Sequence, residues 1–240
     1  MEQDTGESAV VVTHARVRRA ILSGELEAGS VISQGALSEL LDVTRTPLRE
    51  ALRLLQREGL IEAESNKRVR IAPFSTDDLE QLYALRITIE ALALRVTMAA
   101  LTADDVAELE RCLAAMETFE ERRDAIAWEE PHRAFHRRLT AGAGARITRM
   151  IEELNDHAVR YRRIYLSAEP IAWNLAPRDH AAIFEAVRDG NEAVAAERLA
   201  RHLGRTALAV LLIAAPDHEP RLVRAAIRAV ASDGADDQLP

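Results

Sequence analysis

Cysteine is nearly absent from this 240-residue chain. Cys112 is the only one, so no internal disulfide can staple the fold, and a lone thiol is most simply a small core residue. No stretch approaches the roughly 20 apolar residues of a membrane span. The first residues also lack a signal-peptide pattern, which leaves the cytoplasm as the expected compartment. There is no glycine-rich phosphate loop, no HExxH spacing and no nucleophile motif, and no repeat recurs at a fixed period. A formal net charge of −8 argues against a basic nucleic-acid coat protein.

What is present is concentrated first in residues 43–60, VTRTPLREALRLLQREGL. Leu48, Ala51, Leu52 and Leu55 fall at i, i+3, i+4 and i+7, one stripe that must face a core. Thr46, Arg49, Arg53 and Arg57 project from the opposite side. Thr46 followed by Pro47 predicts an N-cap with proline at the first helical position, and Thr44 is a rival cap two residues earlier. Alone, such a segment reads more readily as an amphipathic surface helix with a solvated basic face than as a DNA-reading one.

Its neighbours narrow the choice. Val10–Ser23 predicts a helix with Val17, Ile21 and Leu22 inward and Arg16, Arg18 and Arg19 alongside. A shorter helix, Gln34–Leu41, is joined to the third by Asp42 and Val43, the short connection a helix-turn-helix requires. Gly59 ends the third helix. Leu60–Ala63 and Val69–Ala72 then flank Ser65, Asn66, Lys67 and Arg68 as a two-stranded wing with a basic tip.

The stretch ILSGEL…LSELLDVTRTPLREALRLLQREGLIE…RVRI resembles the N-terminal domain of the GntR family of bacterial transcription regulators, whose hallmark is an (S/T)RTPVREAL…L…EGL run. The resemblance covers about residues 10–75 and implies that Thr44, Arg45, Thr46, Arg49 and Arg53 meet operator DNA, with Lys67 and Arg68 on a wing entering the adjacent minor groove. Two positions depart from the family pattern: Gly35, where some relatives carry arginine, and Arg68, where the wing usually has glycine.

The organisation expected is two-domain and mostly α. It comprises a disordered start (1–9), a winged helix-turn-helix (10–72), a linker (73–76), an all-α antiparallel bundle (77–231) and a disordered acidic tail (232–240). Residues 10–75 hold ten Lys/Arg against eight Asp/Glu, +2, which leaves −10 of the chain's −8 to the remainder. The first bundle helix spans Asp77–Leu101 with Leu79, Leu82, Leu85, Ile89 and Leu92 inward, and the second runs from Thr102 and Asp105 to about Glu121. The third is Ala125–Ala141 and the fourth Arg146–Leu166, with Ile147, Met150 and Ile151 on its apolar side. Asp179–Asp189 and Glu192–Ala214 follow, and Pro220–Ala231 docks on the bundle or on a partner.

Histidine is the second informative constellation. His132 and His136 lie four apart on one helix, so their imidazoles share a face; His180 opens the next-to-last long helix and His202 lies in the last. Neutral imidazole suits transition metals that take three or four ligands, but spacing alone does not make the four converge. Through LRITIEALALRVTMAAL, HRAFHRRL and HAAIFEAVRDGNEAVAAERLARHL this half resembles the FCD effector domain of FadR-like GntR regulators. Metal-binding members carry Asp-x-x-x-His and two later histidines; His136, His180 and His202 match, and His132 stands at the Asp position. An all-imidazole shell leaves the charge of a divalent ion unneutralised, so Glu129 is an alternative oxygen donor on the same face.

The resemblance implies an effector-responsive transcription regulator, a repressor in most such families. Its expected cofactor is a divalent transition metal, zinc or nickel, and its effector a small carboxylate, with Arg86, Glu129 and Arg163 as candidate contacts. A homodimer is expected because paired heads read a two-fold operator, with the aliphatic faces of the first and fourth bundle helices as candidate interfaces. Two alternatives stand beside it: a metal-dependent enzyme acting on a small organic acid, and a metal-free regulator with the same DNA-binding domain.

Overall fold

Leu37, Leu48, Leu55 and Leu60 are fully buried together, and the elements that carry them form the N-terminal unit, Met1–Ser75. The computed structural model describes residues 2–168 and 172–232. Three helices, α1 (Glu2–Leu22), α2 (Gln34–Leu40) and α3 (Arg45–Arg57), and three strands, β1 (Val31–Ser33), β2 (Ile61–Glu64) and β3 (Arg68–Ile71), follow in the order α1-β1-α2-α3-β2-β3. The strands form an antiparallel sheet in the order β1-β3-β2. The sequence predicts only the outer hairpin; β1, three residues long, is too short to show a two-residue period. Residues 2–9 also differ from expectation, because α1 starts at Glu2 rather than near Val10. Extending a nucleated helix adds one hydrogen bond per residue without a new nucleation cost.

Local chemistry sets the ends of these elements. The Ser33 side chain accepts a hydrogen bond from the Ala36 N–H and caps α2. Thr44, not Thr46, is the N-cap of α3, which puts Arg45 at the first helical position and Pro47 at the third, where its missing N–H still costs no intrahelical bond. Gly59 adopts φ 69° beyond the end of α3, and the Leu60 N–H reaches back to the Leu55 carbonyl, closing the helix as a Schellman-type end does. At the wing tip, Asn66 (φ 59°) and Lys67 (φ 55°) occupy the left-handed region. The turn's strain therefore falls on those two residues, and Arg68 is an ordinary strand residue that needs no glycine.

The second unit, Thr76–Pro240, is helical, with no strand among the described residues. Its elements are α4 (Thr76–Met98), α5 (Ala103–Glu120), α6 (Ala125–Leu139), a 3₁₀ turn (Ala141–Ala143), α7 (Ala145–Ala168), α8 (Ala172–Arg188), α9 (Glu192–Ala214) and α10 (Arg221–Ser232). Helix α4 packs on α7, α9 and α10, while α5 packs on α6 and α8. Thr102 and Asp105 form a reciprocal capping box at the start of α5. Helix α8 begins at Ala172, so His180 sits in its middle rather than at its start, and Pro177 lies inside the helix. The Trp173 indole N–H donates to the Leu166 carbonyl and its ring meets Trp128 edge-on, anchoring the turns ahead of the proline.

The inward face of α4 is not the one its leucines predict. Leu79 and Leu82 are buried, but Leu85 and Leu92 are 57% and 53% exposed, and Ile89 is only half-buried. The buried face instead carries Tyr83, Arg86, Ile87, Glu90 and Leu94. Apolar residues surround α4 nearly completely, so periodicity could not choose a face, and a buried polar set took it. Met150 of α7 is likewise exposed.

Helix α10 docks on this unit. Glu80 of α4, itself buried, accepts from the Leu222 and Val223 N–H groups at the N-terminus of α10 and contacts His218 at 3.2 Å. A carboxylate there faces the positive end of the helix dipole. Val223, Ala226 and Val230 are buried beneath it, and the Ile227 side chain fills the space over Gly204 of α9, where a Cβ would meet its Cδ1 at 2.4 Å. Glu80→Ala removes both backbone acceptors, and it is expected to lower the unfolding free energy by about 1–3 kcal/mol in urea titration; an unchanged midpoint and slope contradict this account of the docking.

Candidate functional site

Two places carry chemistry. On α3 the stripe Leu48, Ala51, Leu52 and Leu55 is buried, which turns Thr44, Arg45, Thr46, Arg49 and Arg53 outward; all five are exposed, as are Lys67 and Arg68 at the wing tip. Glu50 contacts Arg49 at 3.7 Å and Arg53 at 3.1 Å. Such exposed pairs are worth well under about 1 kcal/mol and exchange readily for phosphate. The far end of α3 is held by Glu58, which contacts His14 at 2.6 Å and Arg18 at 3.4 Å on α1. Arg70 braces the wing through Glu64 at 2.8 Å.

The second place is inside the helical unit. His132 and His136 belong to the buried stripe of α6 with Trp128, Phe135 and Leu139. His180 lies on the buried face of α8 and His202 on that of α9. One nitrogen from each of the four lies within 4.8 Å of the others. His132 Nδ1, His136 Nε2 and both nitrogens of His180 are buried without a hydrogen-bond partner. Leaving that many polar atoms unpaired costs about 1–3 kcal/mol each, and an ion that takes their lone pairs removes the cost. Tetrahedral zinc, at about 2.0–2.1 Å from each nitrogen, sets its ligands roughly 3.4 Å apart, so a small contraction of the cluster completes such a shell.

The protonation states suit that chemistry. Burial, with the neighbouring imidazoles and Arg162, holds His132 and His180 well below the usual histidine range. Burial also lowers His136, to about 4, although Glu90 opposes it. These three rings are therefore neutral near pH 7, with lone pairs available for a metal. Two carboxylates stand behind the cluster: Glu90 of α4 lies 3.3 Å from His136 Nδ1, and Asp179 lies 3.4 Å from His202 Nδ1. Burial pushes Glu90 up, but the Arg86 guanidinium and the His136 hydrogen bond outweigh it and hold its carboxyl at about 2. A carboxylate on the outer nitrogen fixes the tautomer and raises the basicity of the inner one.

These outer carboxylates alter the expected role of several residues. Glu90 and Asp179 stand one layer out, each already paired with an arginine, and Glu129 is not in the cluster: Arg162 of α7 binds its carboxylate. Arg86 is fully buried, donating to Glu90 at 2.8 Å and to Asn155 at 2.7 Å, and so is the counter-charge of Glu90 rather than a free anion contact. Arg162, not Arg163, is among the charges acting on His132 and His180; one residue along a helix turns a side chain by about 100°. Glu90, Asp179, Arg162 and Tyr83 were not among the sequence candidates. Only the i, i+4 spacing of Arg86 and Glu90 hinted at any of them.

An exposed Thr/Arg helix with a wing, and a helical bundle enclosing four histidines, define a DNA-binding regulator with a second, all-helical domain. The chain matches two family models, "Bacterial regulatory proteins, gntR family" over residues 11–71 and "FCD domain" over residues 81–205; it belongs to the GntR family of transcription regulators and carries an FCD domain. It is 31% identical over 164 residues to an uncharacterized HTH-type transcriptional regulator, BphR, of Paraburkholderia xenovorans, covering 65% of this chain and 67% of that one. It is 27% identical over 197 residues to the HTH-type transcriptional repressor GlaR of Escherichia coli, covering 76% and 87%. The fold is shared with E. coli McbR/YncC (TM-score 0.74, 18% identity, 85% and 98% covered) and with a putative GntR regulator from Rhodococcus sp. RHA1 (TM-score 0.70, 20% identity, 88% and 100% covered). The family and the relatives BphR and GlaR are named for transcription regulation, which sets the enzyme alternative aside. No helix among the described residues is long and apolar enough to cross a membrane.

Histidines kept neutral by burial make the metal-free protein acid-sensitive. Their folded pKa values lie below the unfolded value of 6.5, so the unfolded state binds more protons once pH drops below that value. Stability is expected to be level above about pH 7 and to fall by about 1.4 kcal/mol per pH unit per histidine below 6.5. For His136 the loss continues down to about pH 4. Thermal unfolding of chelator-stripped protein from pH 8 to 4.5 measures this, and a flat profile contradicts it.

Proposed function

We propose that this regulator is an effector-responsive repressor whose helical unit binds a divalent transition metal, zinc or nickel, and a small organic acid. The observation that carries the reading is the buried group His132, His136, His180 and His202, with one nitrogen of each within 4.8 Å of the others and four ring nitrogens of the group unpaired. Those four rings would hold the ion, with Glu90 and Asp179 orienting two of them. When bound, the ion supplies a Lewis-acidic position for a carboxylate oxygen. His132, where metal-binding relatives carry aspartate, keeps the shell itself uncharged and so strengthens its preference for an anionic effector.

On the DNA side, Arg45, Thr46 and Arg49 at the start of α3 are assigned to base edges, Thr44 and Arg53 to the flanking phosphates, and Lys67 and Arg68 to the minor groove beside them. Two copies read a two-fold operator. Leu85, Ile89, Leu92 and Val96 form a stripe along α4, three of them about half exposed or more, which suits a self-complementary contact between copies of this unit. Regulation follows if the acid binds two arrangements of the dimer unequally and so changes the spacing of the DNA-reading units. A protein that works on operator DNA would act in the cytoplasm.

Selection from a pool of random duplexes, followed by titration of the selected site, tests the reading. The selected site is expected to be two-fold related, with affinity at least about ten-fold weaker for Arg45→Ala plus Arg49→Ala. A carboxylate that releases the wild-type protein should fail to do so after chelation. Unchanged binding by the double variant contradicts the α3 assignment, and a response that survives chelation favours the metal-free regulator.

A further inference from the structure

Beside the histidine cluster lie buried donors with no assigned use. Arg162 is 4% exposed; its Nε and Nη2 engage Glu129, while Nη1 is buried without a partner. The Tyr83 hydroxyl on α4 is also buried and unpaired, and burial pushes its pKa up, so the phenol keeps its proton. The Arg86 guanidinium lies 5.2 Å from the Tyr83 ring and donates to Glu90, which contacts His136, while Glu129, three residues before His132 on α6, holds Arg162; the charge of Arg162 acts on Tyr83, His132 and His180. One neighbourhood therefore joins Tyr83, Arg162 and the histidines. Arg162 Nη1 can only donate and the Tyr83 phenol has a proton to give, so an acceptor is the partner that satisfies both.

Charge indicates what kind of acceptor. Arg86 is neutralised by Glu90, Arg162 by Glu129 and Arg205 by Asp179, and an imidazole that ligates a metal does so in its neutral form. A divalent ion on the histidines then brings two uncompensated positive charges into the interior, where unbalanced charge is strongly disfavoured. One carboxylate cancels one of them; a second carboxylate cancels the other.

We propose that Arg162 Nη1 and the Tyr83 hydroxyl form a second anion-binding locus, which receives the distal carboxylate of a small dicarboxylate whose other carboxylate faces the histidine cluster. This rests on the reading that the cluster holds a divalent ion and admits an acid, and it narrows that acid to a dianion. The locus is made by α4 and α7, whereas the histidines lie on α6, α8 and α9. A dicarboxylate thus ties together the two sets of helices, which a monocarboxylate on the ion alone does not.

Calorimetric titration of zinc-loaded protein with malonate, succinate and glutarate, beside propionate, butyrate and valerate, tests the proposal. At least one dicarboxylate is expected to bind about ten-fold or more tightly than its monocarboxylate counterpart, as one charge-assisted contact provides. Tyr83→Phe, which removes a single oxygen, and Arg162→Met should each reduce that ratio to about three-fold or less while zinc content stays at the wild-type level. If Arg162→Met does not fold with Glu129 left unpaired, Tyr83→Phe still decides. Equal binding of the two acid classes, or a preference that survives in Tyr83→Phe, overturns the second locus alone. Failure to bind zinc, or to bind any carboxylate once loaded, overturns the underlying reading and this inference with it.

Discussion

The structure of the helical unit depends on four buried imidazoles, four of whose eight ring nitrogens have no hydrogen-bond partner. An apolar core would place leucines where His132, His136, His180 and His202 stand, and would leave no orphan nitrogens behind. Histidines there are a cost to folding that a ligand can offset, because whatever binds the folded arrangement and not the unfolded chain stabilises it. Around them the polar interior is built in layers. Glu90 and Asp179 address the outer nitrogens, and Arg86 and Arg205 address those carboxylates. Removing one member leaves its partner charged and unsatisfied in a low dielectric.

This arrangement links five helices through one polar network. The histidines come from α6, α8 and α9, Glu90 and Arg86 from α4, and Asn155 and Arg162 from α7. A bundle whose helices meet at charged and coordinating groups has more discrete packings available than one joined by leucine alone, since such contacts are either made or broken. That property suits a sensor. Helix α4 is the element best placed to pass a change outward: one face carries Tyr83, Arg86 and Glu90, while the opposite face presents Leu85, Leu92 and Val96 to solvent.

Much of this was legible from local pattern and some of it was not. The helix-turn-helix showed itself because its stripe, its short connection and Gly59 are all short-range signals. The capping residue was settled between Thr44 and Thr46 only by the backbone, since both threonines are chemically suitable. The pairing of β1 with β3 depends on contacts between residues nearly forty apart, Val31 with Arg70, and three residues carry no period. The face of α4 was misjudged because a leucine stripe is the natural choice for a core, whereas here the core needed counter-charges. Among the histidines, the i, i+4 pair on α6 was visible in the sequence. Their convergence with His180 and His202 came through family resemblance, and Glu90, Asp179, Arg162 and Tyr83 could be assigned only once the helices were packed.

The central claim is that the four histidines form one metal site. X-ray absorption at the metal edge, on protein purified without chelator and quantified for metal per chain, tests it most directly. The account predicts about one transition-metal ion per chain, with imidazole nitrogens at about 2.0–2.1 Å dominating its first shell, and loss of that signal in His136→Ala. A protein that carries no ion after exposure to zinc or nickel, or an ion whose shell is unaltered by that substitution, would contradict it.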